Sequence, residues 1–73
     1  MDNSIYKKEY KILVQKLKQA RVELNLDQNQ VAKKLKRTQS YISKIESGQI
    51  RVDIIQLKQL AKIYKKSLDF FIK

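Results

Sequence analysis

The sequence predicts an all-α fold of five short helices, and three features of it say so. Apolar residues recur at three-to-four-residue steps, the spacing of a helix that buries one face. Acid or hydroxyl side chains stand where helices should begin, and two of them are followed by Gln three positions on. The chain has no Pro and one Gly, Gly48, so it offers no linker, and it carries no strand signal.

The first helix carries Tyr10, Leu13, Val14, Leu17 and Leu24 as one apolar stripe over about four turns. Asn25 is its stop, because Asn tolerates the left-handed conformation that closes a helix. The second helix starts with Asp27 as its cap and Gln30 completing a capping box. Leu26 and Val31 are placed as a hydrophobic staple, and the helix ends near Leu35. Thr38 caps a third helix that runs to about Ser47, with Gly48 just beyond its end. The fourth repeats the second: Asp53 caps, Gln56 completes the box, and Val52 with Leu57 makes the staple. It carries Ile54, Leu57, Leu60, Ala61 and Tyr64 on one side and ends near Lys65. Ser67 caps a last short helix with Leu68, Phe71 and Ile72.

A chain of 73 residues reads as one small domain spanning 1–73. It has no Cys and no His, which excludes disulfides, the usual zinc ligand sets and Cys or His catalysis. No nucleophile–base pair or metal cluster is in sight, so neither an enzyme nor a cofactor nor a small-molecule ligand is expected. Seventeen basic residues face seven acidic ones, a net charge of +10. Residues 1–27 hold +2, residues 28–52 hold +5 and residues 53–73 hold +3. A field this positive favours nucleic acid or an anionic membrane surface as partner. No apolar run approaches the roughly 20 residues of a transmembrane helix. Acidic Asp2, with no apolar stretch before Tyr10, argues against a signal peptide. The expectation is a soluble protein of the cytoplasm, associated with the nucleoid.

From Gln28 to Gln49 the chain reads QNQVAKKLKRTQSYISKIESGQ. Two short helices joined by the turn Lys36-Arg37-Thr38 make the geometry of a helix-turn-helix, over about 28–47. Small Ala32 suits the crossing point, and Val31, Leu35, Ile42 and Ile45 can face inward together. That leaves Gln39, Ser40, Ser43, Lys44 and Ser47 on the outward side of the third helix, with hydrogen-bonding groups of the reach a base edge needs. Lys36, Arg37 and Arg51 flank the motif and most simply bind phosphates. Lys7, Lys8 and Lys11 read as a solvated face.

These pieces together resemble the phage lambda-type repressor and Cro family of helix-turn-helix regulators, often called Xre-like. The resemblance rests on Leu17-Lys18-Gln19-Ala20-Arg21, Leu26-Asp27-Gln28, Val31-Ala32-Lys33-Lys34-Leu35, Tyr41 to Gly48, and Leu60-Ala61. It covers roughly residues 10 to 72 and implies a five-helix lambda-repressor-like domain whose third helix enters the DNA major groove, usually as a dimer. By that resemblance Gln28 touches a phosphate from a helix N-terminus. Gln39 reads a base or braces Gln28, with Ser40 beside it, and Lys44 reaches guanine or a phosphate. Thr38, Ser43 and Ser47 complete the DNA-facing surface. Tyr41 is expected to pack its ring on the first helix while its hydroxyl reaches a phosphate. Glu46, the one acid of its stretch, would pair with Arg21 as a structural ion pair between first and third helices. Family members often carry Gly where this chain has Lys36 and Lys65; a positive φ there would cost Lys on the order of 1 kcal/mol.

The function implied is a sequence-specific regulator of double-stranded DNA, a small repressor or autorepressor acting as a dimer on a palindromic operator. An antitoxin-like protein-interaction module with secondary DNA binding is the alternative, and a basic amphipathic membrane binder a more distant one. A homodimer is expected through the C-terminal Phe70, Phe71 and Ile72. A short helix cannot turn three successive large apolar side chains to one core, which leaves one, Phe70 first among them, for a partner.

Overall fold

Five helices follow one another in the computed structural model, which describes residues 4–72: α1 (Ser4–Glu23), α2 (Gln28–Leu35), α3 (Gln39–Glu46), α4 (Ile54–Ile63) and α5 (Leu68–Ile72). No strand occurs among the described residues; Asp2, which bears on the signal-peptide question, lies outside them. The helices begin where the local chemistry says they should. Asp27 and Asp53 each accept the N–H of the third helical residue at 2.8 Å, while the side chains of Gln30 and Gln56 accept the caps' own N–H groups. Thr38 Oγ1 accepts the N–H of Tyr41 at 3.2 Å at the head of α3.

The ends are as regular as the beginnings. After each of α1 to α4, one residue adopts the left-handed conformation: Asn25, Lys36, Gly48 and Lys65, with φ of 57°, 59°, 79° and 58°. In each case the next N–H reaches back five residues to a carbonyl, as Leu26 does to Arg21 and Arg37 to Ala32. Satisfying the last carbonyls this way outweighs the left-handed penalty of about 1 kcal/mol at each Lys.

Every helix contributes to one core. Leu17 and Ala20 of α1 meet Val31 and Ala32 of α2, Ile42 and Ile45 of α3, Leu57, Leu60 and Ala61 of α4, Tyr64, and Phe71 of α5. Three expected core positions are corrected. Leu24 lies past the end of α1 and is exposed; Ala20 takes the buried place in the stripe. Ile54, at the first turn of α4, is 54% exposed because the face that packs is the one carrying Leu57, Leu60 and Ala61. In α5, Phe71 is buried, Phe70 packs half-buried against the core, and Ile72 is left 58% exposed. Phe70 is held edge-on by Phe71 at 5.0 Å, with the Lys66 ammonium 4.6 Å from its ring centre. The apolar residue left over is therefore Ile72 and not Phe70. Among the described residues no helix is long and apolar enough to cross a membrane.

Candidate nucleic-acid interface

A row of polar side chains leads from the interior to the surface where α1, α2 and α3 meet. Arg21, in the last turn of α1, reaches Glu46 in the last turn of α3 through two bonds, Nε to Oε2 at 2.7 Å and Nη2 to Oε1 at 3.0 Å. Its Nη1 donates to the carbonyl of Leu26 at 2.8 Å, so one guanidinium fixes the approach to α2 as well. The pair is nearly dry, with side chains 11% and 5% exposed. The hydrogen bond to Glu46 raises the Arg21 pKa above its ordinary value despite the opposing effect of burial.

The same carboxylate holds Gln28, whose Nε2 donates to Glu46 Oε1 at 3.1 Å. Gln28 Oε1 in turn accepts from Nε2 of Gln39 at the first turn of α3. Bracing and base reading are thus compatible at Gln39. An amide has two N–H donors and an oxygen acceptor, so one N–H and the oxygen remain for a bidentate contact such as adenine offers. One N–H of Gln28 also remains free of the row.

Around that row, Ser40, Lys44 and Ser47 are exposed on α3, and Ser43 is half-buried. Ser47 donates its hydroxyl to the Lys44 carbonyl at 3.2 Å and so closes the helix. Lys36 and Arg37 lie exposed in the turn before α3. The Arg37 guanidinium lies 4.0 Å from the centre of the Tyr41 ring, a cation–π contact. Tyr41 itself departs from expectation. It lines a cleft with Leu35, Arg37, Gln56 and Gln59, on the α2–α4 side. Its hydroxyl is buried without a hydrogen-bond partner and does not point outward to a phosphate.

Arg51 lies at the opposite end of α3, its guanidinium 4.5 Å from the centre of the Tyr10 ring. Tyr10 does more than fill the stripe of α1. Its hydroxyl donates to the carbonyl of Ile50 at 3.0 Å and accepts the N–H of Val52 at 3.1 Å, clamping the α3–α4 loop. Sequence reasoning missed this role. The signal was a Tyr, with its polar tip, in a row otherwise aliphatic.

A helix-turn-helix family model matches residues 17–71, most of the chain and all of this site except Tyr10. The chain belongs to the lambda-repressor-like helix-turn-helix family. Searches of curated proteins and of solved structures find no match. As a helix-turn-helix regulator it binds DNA. The row from Arg21 to Gln39 ties the two helices of its motif to each other and to α1.

Proposed function

We propose that this protein is a sequence-specific transcriptional repressor that binds a two-fold operator as a homodimer, with α3 in the major groove. The observation that carries this is the state of Gln39. Its backbone sits in the first turn of α3, its side chain is exposed, and it is braced through Gln28 on a buried ion pair. A pre-ordered amide loses little side-chain freedom on meeting a base edge, which is what discrimination between bases requires. Ser40, Ser43, Lys44 and Ser47 extend the reading surface; Gln28, Lys36, Arg37, Thr38 and Arg51 serve the phosphates on either side. The place of action is the cytoplasm, on the nucleoid.

The dimer would form through the C-terminal end, with Ile72 in the place first expected of Phe70. Ile72 and half-exposed Ile12 line one groove between α1 and α5, apolar enough to gain from a second copy. The operator then carries two half-sites roughly 10 base pairs apart, centre to centre.

Selection of sites from random duplexes, followed by titration across salt concentrations, tests both parts. Gln39→Ala should weaken the selected site by about 1–3 kcal/mol and leave random DNA almost unaffected. Arg37→Ala should weaken all sequences alike and lower the salt slope by about one per subunit. If both variants change preference and slope in the same way, α3 does not read bases. Recovery of single half-sites by a protein that sediments as a monomer would remove the dimer.

A further inference from the structure

The exposed side of α3 continues past Ser47 into a groove of about 610 Å³ between α1 and the end of α3. Lys7, Lys11, Lys18 and Arg51 line it. On α1 the three lysines fall four and seven residues apart, which places them on one helix face. Like charges at such spacing repel, so the arrangement does nothing for the helix by itself. Among the described residues no carboxylate pairs with any of the three. The one acid in the groove, Glu46, is already neutralised by Arg21. The far wall is fixed to α1 by the Tyr10 hydroxyl, and Arg51 is laid against the Tyr10 ring.

We infer that this groove takes the sugar–phosphate backbone of a DNA duplex where it runs beyond the bases under α3. The inference rests on the DNA-binding reading above and extends the contact onto α1. Lys7 to Lys18 spans about 17 Å of helix, a length along which one strand of duplex DNA presents about five phosphates. Three lysines on one wall and Arg51 on the other therefore meet phosphates without any change of fold. Lys7 and Lys11 precede the part of the chain that the family model matches, while Lys18 and Arg51 fall inside it.

The test compares two triple variants of the full chain on a 30-base-pair duplex recovered by selection. Lys7→Gln, Lys11→Gln and Lys18→Gln together empty the groove of lysine. Lys34→Gln, Lys58→Gln and Lys62→Gln remove the same charge from exposed positions elsewhere. Gln is nearly as good a helix former as Lys, and circular dichroism checks that both variants fold. Each lost phosphate contact lowers the salt slope by about 0.9, so the groove variant should lose about 2 to 3 per subunit and the other well under one. Preference for the selected site over random DNA should persist in the groove variant. Equal loss in both variants would reduce the effect to net charge and overturn the inference. So would an unchanged slope in the groove variant while Arg37→Ala still lowers it, and the DNA-binding reading would then stand alone. Loss of binding to anionic vesicles in the groove variant, with its DNA slope intact, would give the groove to a membrane surface and overturn the inference too. A wild-type chain that binds no duplex would overturn both readings together.

Discussion

The α2–α3 and α4–α5 halves of this molecule are built with the same local devices and put them to different use. Each opens on an Asp–Gln capping box, and each ends its first helix on a left-handed Lys, Lys36 in one and Lys65 in the other. Each also sends a charged side chain back to the last turns of α1. In the first half that pair is Arg21 with Glu46, doubly bonded and almost without water. In the second it is Glu23 with Lys66, a single 3.1 Å contact with side chains 45% and 30% exposed. The hydrogen bond from Lys66 holds the Glu23 carboxyl below its usual range, helped by Gln19, but solvent screens the pair. Identical chemistry is structural in one place and decorative in the other. Burial, and the hydrogen bond from Gln28 that links Glu46 on to Gln39, make the difference.

The largest effect expected from breaking that contrast is at Arg21. Arg21→Ala leaves Glu46 buried with only Gln28 to bond it, and should cost about 3–5 kcal/mol in urea unfolding. A loss below about 1 kcal/mol would mean that the pair is as dispensable as a surface one.

Next comes Tyr64, which follows α4 as Leu35 precedes Lys36, but lies fully inside the core. Burial pushes its phenol well above the usual range, with Glu46 adding to the rise and Arg21 opposing it. The folded state holds the proton more tightly than the unfolded chain, which ionises near pH 10. Its contribution is therefore whole below about pH 10 and falls above it by up to about 1.4 kcal/mol per pH unit. Tyr64→Phe should lose stability less steeply than wild type between pH 9 and 11.5. Parallel curves would show that the phenol is not kept neutral by the fold.

The two left-handed lysines sharpen the comparison further. Gly relieves the backbone strain but frees the unfolded chain, so Lys36→Gly and Lys65→Gly should each gain about 0.5–1 kcal/mol. Only Lys36→Gly should also lower the salt slope of DNA binding, because only that turn flanks α3. If both lower it, the positive field is acting as a whole and not locally. Smallest of all is Glu23→Gln, which should leave the urea midpoint unmoved within error; a clear drop would put the second pair on a level with the first.

The legible parts of the sequence were those decided within about five residues. Caps at Asp27, Thr38 and Asp53, stops at Asn25 and Gly48, and the helix lengths between them follow from short-range hydrogen bonds that the residue types announce. The motif's inward and outward faces followed too, since helical period alone separates Ile42 and Ile45 from Gln39 and Lys44. The Arg21–Glu46 expectation came from resemblance, because nothing local links two residues 25 apart. What only the tertiary structure decided depends on where whole helices point once packed. That Ile72 faces outward and Phe70 does not is fixed by the angle at which α5 meets the core. That Tyr41 turns toward α4 depends on the α2–α3 crossing. The Tyr10 clamp joins residues 40 and 42 apart, and the groove gathers Lys7 and Lys11 with Arg51 across a similar separation. Periodicity says which face of a helix is apolar; only packing says what stands opposite the other.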